Sequence, residues 1–402
     1  MPTKLKRVLQ WATGLLLSFL IAYVVGFGAF FLRRQVRAAR PMGVFWEAWD
    51  HIDEYYYDDP PTAQARTYGA IRTSLDLLDD PYTTFVEPQP RALEKDRMRG
   101  SFGGIGVDLW RDPQGRIQLS PHPESPAEGA GIEDGDRLLA VEDQPVANLT
   151  VEEAQMLLRG EIGTEVAITV ARADSDGSET IVVRRAQINI PSVTWFWIDR
   201  MARIGYVRVN TFTERTATEV GSALGDLRQS GAVAGLVLDL RENYGGLINP
   251  AVDTASIFLP QGVAVAHERS RGESASSKTY AAGAESATFG APLAVLVNHS
   301  TASAAEIVAG ALQDHERAPL IGRQTYGKGS VQLIFDLSDG SSVHVTSAVW
   351  LTPDEHQING IGLTPDIEVL SDADQSVDEP LEQAIDYLEA KLTESSEREP
   401  DE

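Results

Sequence analysis

Three short segments of the sequence hold side chains suited to making and breaking bonds. The first, Asn298-His299-Ser300-Thr301-Ala302-Ser303-Ala304-Ala305-Glu306, follows the wholly apolar run Leu293–Val297 and leads into an apolar helix ending near Leu312. A small-residue turn between buried strand and helix brings Ser303 to the helix start, where unpaired amides and the helix dipole favour negative charge. An alkoxide or oxyanion would be stabilised there. Taken alone, though, the segment is better read as a plain N-cap on Ser300, Thr301 or Ser303. The second segment, Thr325-Tyr326-Gly327-Lys328-Gly329-Ser330-Val331-Gln332, sets a lysine between two glycines ahead of a strand-like Val331–Phe335. Flanking glycines let backbone come close and give the side chain one defined exit. To act as a base near neutral pH, Lys328 must fall from about 10.4 to about 7–8, a change of about 4 kcal/mol that a closed pocket supplies by desolvation. Gln332 can accept from the ammonium or orient the amine without adding a negative charge. By itself Lys328 also fits a surface turn. The third segment, Asp239-Leu240-Arg241-Glu242-Asn243-Tyr244-Gly245-Gly246-Leu247, closes another apolar strand. Amides at Gly245 and Gly246, together with that of Ala304, would make an oxyanion hole. A tight turn into the next helix explains the same glycines without chemistry.

Together the three segments resemble one family, the carboxyl-terminal processing peptidases or tail-specific proteases of peptidase family S41, over residues 45–370. The family pattern Asn-x-x-Ser-Ala-Ser-Ala-Ser-Glu falls on Asn298–Glu306, with its nucleophile on Ser303. Its Gly-Lys-Gly with a downstream glutamine falls on Lys328 and Gln332, and its Asn-Pro-Gly-Gly turn on Asn243–Gly246. Departures are Thr301 for the first serine, Ala305 for the third and Tyr244 for the proline. None removes a reacting group, but Tyr244 leaves open which glycine donates. The resemblance implies a Ser-Lys endopeptidase that needs no cofactor, built as a layered α/β core of the ClpP/crotonase-like type.

The elements that must position these residues follow from texture. Residues 43–97 read as a helical region, with apolar residues at Val44, Trp46, Trp49 and Ile52, then Tyr68, Ile71, Leu75 and Leu78, separated by the breaker Pro60-Pro61. Tyr55-Tyr56-Tyr57 is expected in a core or an interface. Residues 98–186 show short alternating strands around one helix, Thr150–Arg159, opened by a Thr-x-x-Glu capping box at Thr150 and Glu153. Residues 187–370 alternate strands with helices, and apolar strands such as Leu236–Leu238 and Leu293–Val297 imply burial on both faces, as in an α/β layered core. Residues 371–402 are polar and acidic apart from one helix, Leu381–Leu392, and are expected to solvate the surface or to end in disorder. The stretch from Ala127 to Leu138, with Gly131, Gly135 and Asp136, resembles the PDZ pattern of the same family. A PDZ groove takes an extended chain end as an added strand. The loop Gly104-Ile105-Gly106-Val107 would hold the terminal carboxylate, and the resemblance implies that this domain selects tails and gates the site.

Bulk properties bound the rest. Residues 8–32 run 25 positions without a charge, enough for one transmembrane helix. Seven basic residues and no acidic one lie in residues 1–40, which leaves −32 on the other 362 residues of a chain whose net charge is −25. That acidic body disfavours nucleic acid as a partner. The expected location is the cell membrane, single-pass, with the body on the extracytoplasmic side. Cysteine is absent, which excludes disulfides and a thiol nucleophile. No metal-ligating pattern is present, and no Gly-x-Ser-x-Gly elbow supports a Ser-His-Asp hydrolase, although His299 and His315 flank the serine motif. The expected partners are protein substrates with accessible C-terminal tails; a second copy or a regulatory partner stays open. The rival reading from another class is a catalytically inactive, membrane-anchored PDZ adaptor.

Overall fold

The computed structural model describes residues 42–172, 177–199, 203–270, 277–283, 289–370 and 377–398. The uncharged stretch 8–32 lies outside them, and among the described residues no helix is long and apolar enough to cross a membrane. The chain divides into units at residues 73/74. The first holds a helix over residues 42–55 (α1) and most of Ala63–Asp76 (α2), broken at Pro60-Pro61 as expected. Arg66 reaches from α2 to Asp53 (2.8 Å) and lies over the Trp49 ring. Tyr55, Tyr56 and Tyr57 are exposed rather than in a core. Tyr55 ends α1, and Tyr56 and Tyr57 lie beyond it, so no one helix face carries all three.

The second unit opens with strand Thr84–Val86 (β1), inside the region expected to be helical, and helix Pro88–Arg99 (α3). The strand-rich module follows. It comprises Ser101–Gly104 (β2), Val107–Arg111 (β3), Ile117–Pro121 (β4), the short helix Pro126–Gly129 (α4), Asp136–Val141 (β5), Gln144–Pro145 (β6), Val151–Leu158 (α5), Glu165–Ala171 (β7), Ser178–Arg184 (β8) and Ala186–Asn189 (β9). Its sheet runs β3-β4-β5-β7-β8, and β2 pairs antiparallel with β9, so the chain enters and leaves the module side by side. The capping box forms as the sequence predicts: Glu153 N–H donates to Thr150 Oγ1 and Thr150 N–H to Glu153 Oε2.

The core then adds Val193–Asp199 (β10), Ile204–Val209 (β11), Thr216–Ser230 (α6), Gly235–Asp239 (β12), Ile248–Ser256 (α7), Ala264–Ser270 (β13), Ser277–Ala281 (β14), Leu293–Val297 (β15), Ala304–Asp314 (α8), Leu320–Gly322 (β16), Ser330–Asp336 (β17), Ser342–Leu351 (β18), Ile367–Glu368 (β19) and Glu379–Arg398 (α9). One sheet runs β10-β11-β12-β15-β16-β19, parallel from β11 onward. Alternate residues of its strands serve opposite faces. Leu236, Leu238, Leu293 and Val295 pack with α6, α7 and α8, while Val237, Ala294 and Leu296 pack with Ala384 and Leu388 of α9. This two-sided cover is why β12 and β15 are apolar throughout. A second sheet, β1-β18-β13-β14 with β17 on β18, packs Val265, Ala266 and Trp350 against the same helices, giving the expected layered α/β core.

The acidic tail departs from expectation. Leu381, Ala384, Ile385 and Leu388 recur at helical spacing and make a stripe that closes one face of the main sheet. Ahead of that helix, Asp378 pairs with Arg241 (2.6 Å), whose other nitrogen pairs with the fully buried Asp239 (2.7 Å) at the end of β12. Leu388→Ala should therefore lower the unfolding free energy by about 2–5 kcal/mol in urea. A change below about 1 kcal/mol would mean that α9 is not part of the core.

Candidate active site

Parallel strands β12, β15 and β16 are hydrogen-bonded neighbours, so the turns at their C-terminal ends lie side by side. In open α/β sheets the crevice beyond those ends is where ligands bind. The turn after β15 starts at Asn298, whose Oδ1 accepts from Glu242 N–H and Ser300 N–H, and whose Nδ2 donates to Glu242 Oε1. Thr301, fully buried, donates its hydroxyl to Leu240 O and accepts Tyr326 N–H on its carbonyl. The departure from serine at this position thus keeps the hydroxyl that the turn uses. Ser303 then adopts φ 56° and ψ −119° ahead of α8. A non-glycine residue takes that conformation only where its surroundings impose it.

The glycine turn after β12 supplies part of that constraint. Asn243 is buried, donates from Nδ2 to Val209 O, and accepts Ala302 N–H on its carbonyl (2.9 Å). Its Oδ1 accepts Gly245 N–H (2.9 Å), so this amide, one of the expected oxyanion donors, is already in use. A Cβ on Gly245 would lie 2.8 Å from Ser303 Cβ and 2.9 Å from Ala302 O. A Cβ on Gly246 would sit 2.2 Å from Phe212 O. Both residues are therefore glycine because backbone comes within contact distance. Among the described residues, Gly246 N–H and Ala304 N–H make no hydrogen bond.

The loop after β16 brings in Lys328. Cβ atoms on Gly327 and Gly329 would meet the 359–362 backbone at 2.9 Å and 2.2 Å, as the sequence reading of flanking glycines requires. Glu306, in the first turn of α8 and fully buried, ties this loop to the serine turn. One carboxylate oxygen accepts from the Thr325 hydroxyl (2.5 Å) and Gly327 N–H (2.7 Å). The other accepts from Ser303 N–H (2.8 Å) and Lys328 N–H (2.9 Å). Burial pushes this carboxyl up, against the pull of the four donors.

Ser303, Lys328, Gln332 and Gly246 line one cavity of about 280 Å³, together with Glu94, Met98, Tyr244, Leu247, Ile248, Val331, Ile334, His344 and Trp350. Burial lowers the Lys328 ammonium below the usual lysine range, and the charge of Glu94 draws it partly back. Its Nζ lies 5.4 Å from the centre of the Tyr82 ring and makes no hydrogen bond with Ser303 Oγ. Catalytic hydrogen bonds are often open in the absence of substrate. Gln332 is set beside a bulge between Val331 and Gln332, and its amide donates to Ser330 Oγ (3.0 Å) rather than contacting Lys328. The sequence reading missed Glu94 and Met98 on α3, held over the cavity because Arg91 and Lys95 both bind Asp336 of β17 (2.9 and 2.8 Å). It also missed His344 and Trp350 of β18, and the role of Glu306. Of these only Glu306 had a local signal, a carboxylate in an otherwise apolar first turn.

In the strand-rich module, Ile105 O accepts from Ala127 N–H and Gly106 O from His122 N–H. The N–H groups of Ile105 and Gly106 make no hydrogen bond among the described residues. Gly106 takes φ 74° beside Ser125. The loop Gly104–Val107 leads into β3, an edge strand of the module's sheet that α5 contacts.

Comparison with known proteins gives a consistent result. Peptidase family S41 matches residues 203–369 and a PDZ domain matches residues 119–172. The chain is 35% identical over 372 residues to the carboxyl-terminal-processing protease of Picosynechococcus sp., covering 87% of this chain and 88% of that one. It is also 35% identical to the chloroplastic C-terminal processing peptidase of Tetradesmus obliquus, with 81% and 76% covered. Among solved structures, a photosystem II D1 C-terminal processing protease is 32% identical, with 82% of this chain and 93% of that chain covered at a TM-score of 0.46.

Gly245→Ala would force a Cβ against Ser303 at a φ of +101°. It should lower stability by about 1–3 kcal/mol from backbone strain alone. A urea midpoint equal to the parent's would show that the turn has room to spare.

Proposed function

The chain belongs to the carboxyl-terminal-processing proteases of peptidase family S41, serine peptidases with a PDZ domain, and from that premise we propose that it cleaves protein substrates near their C-termini with Ser303 as nucleophile and Lys328 as base. The observation that carries this reading is the meeting of Ser303, Lys328 and the free Gly246 amide in one cavity, with the free Ala304 amide next to the serine. Ser303 Oγ attacks the scissile carbonyl carbon as its proton passes to the neutral Lys328 amine, which must first swing from the Tyr82 ring to the serine. The carbonyl electron pair moves onto oxygen, held by Gly246 N–H and Ala304 N–H. Gly245, whose amide is held by Asn243, shapes the turn rather than donating. The lysine ammonium returns the proton to the leaving amine, and the C–N bond breaks to give an acyl-enzyme. Lys328 then takes a proton from the incoming water, whose oxygen bonds to the acyl carbon; the C–Oγ bond breaks, and the lysine ammonium returns the proton to Ser303 Oγ. Gln332 borders this path without adding a charge that would hold the lysine protonated.

Ile105 N–H and Gly106 N–H, unpaired beside an edge strand, suit the terminal carboxylate of a substrate tail laid along β3. Residues 8–32 would anchor the chain in the membrane with its acidic body outside the cytoplasm.

Ser303→Ala and Lys328→Ala should each reduce turnover of a tailed protein substrate on the order of 10⁴–10⁶-fold while leaving the fold intact. The attack needs the neutral amine, so kcat/KM should be low at low pH and rise as pH passes upward through the Lys328 pKa. Glu94→Gln removes a charge that favours the ammonium, and should move this limb to lower pH. An unmoved limb, or full activity in Lys328→Ala, rejects Lys328 as the base. A chain starting at residue 41 should be recovered in the soluble fraction, whereas the full chain sediments with membranes; sedimentation of both would reject the anchor.

A further inference from the structure

Four donors converge on the Glu306 carboxylate, and they belong to two different segments of chain. Ser303 N–H belongs to the turn that carries the proposed nucleophile. Thr325, Gly327 and Lys328 belong to the loop that carries the proposed base. The same oxygen receives the amides of Ser303 and Lys328, at 2.8 and 2.9 Å. All four partners donate: the Thr325 oxygen already accepts Leu363 N–H (2.7 Å), which directs its hydroxyl proton to the carboxylate. Such a set matches an acceptor-only group and no other side chain of this size. Glu306 itself is fully buried and touches no substrate space, since it does not line the cavity.

We propose that Glu306 is the positioning residue of this site, a buried carboxylate that fixes the backbone of residue 303 against that of residue 328 and so sets the separation at which hydroxyl and amine can meet. The inference rests on the Ser-Lys reading above. It assigns to Glu306 an effect on the chemical step and none on tail binding, because Ile105 and Gly106 lie in another module. Glutamine at this position keeps the volume, but in either orientation its amide N–H faces at least one backbone N–H. Alanine removes all four acceptor contacts.

The test uses the full chain with Glu306→Gln, Glu306→Ala and Lys328→Ala, and measures kcat, KM, binding of a tail peptide and the pH profile. Glu306→Ala should lower kcat on the order of 10²-fold, the loss that a displacement of about 1 Å can cause. Glu306→Gln should lower it less, and both should retain KM and tail affinity. The residual rate should show a limb displaced from the parent's, whereas mere loss of folded protein scales the profile without moving it. If Glu306→Ala fails to fold, Glu306→Gln alone decides. A parental kcat per folded molecule in Glu306→Gln, with Lys328→Ala inactive, overturns this inference and leaves the Ser-Lys reading standing. Parental activity in Lys328→Ala overturns that reading instead.

Discussion

A carboxylate taken out of water costs several kcal/mol even after its surroundings relax. Glu306 is buried completely, and what offsets that cost is a ring of four donors, each such bond to a charged group contributing about 1.5–3 kcal/mol. The two amounts are comparable, so the balance holds only while every donor stays in place. Removing one leaves the others around an undercompensated charge. The serine turn and the lysine loop are therefore coupled through one buried carboxylate, and the amide of Ser303, whose φ is 56°, is one of its four donors.

The sheet explains why those loops meet at all. Three neighbouring parallel strands end at the same edge, so segments about sixty residues apart in the chain emerge within hydrogen-bonding distance. Close approach then dictates composition. Gly245 and Gly246 face Ser303 and Phe212, while Gly327 and Gly329 face the 359–362 backbone, and at each a Cβ would meet another atom at 3 Å or less. Asn243 completes the arrangement by holding Gly245 N–H and Ala302 N–H on its two oxygens, one from the side chain and one from the backbone.

Much of this was legible in the sequence, for a physical reason: strand, turn and helix are local patterns. The apolar runs at 236–238 and 293–297 announced two-sided burial, and glycines around Lys328 announced a crowded loop. Thr150 and Glu153 foretold a cap that forms with both bonds. What could not be read depends on pairing across the chain. Nothing near Glu94 or His344 says that α3 and β18 will line the cavity with Ser303, because α3 is held by Arg91 and Lys95 binding Asp336 of β17, and β18 by its pairing with β17 and β13. That Gly245 has its amide engaged follows from the rotamer of Asn243. Gln332 was read as a partner of Lys328, yet a bulge turns its amide to Ser330. The tail misled through composition: its charges suggested a solvated segment, whereas the stripe from Leu381 to Leu388 covers a sheet.

That covering helix bears on how the molecule comes into being. Every other element of the core precedes α9 in the chain, and Asp378, just ahead of it, completes the clamp on Arg241 two residues beyond β12. During vectorial synthesis the serine turn at 298–306 is made before α9, so the sheet face that this helix covers stays open until residues near 388 have left the ribosome.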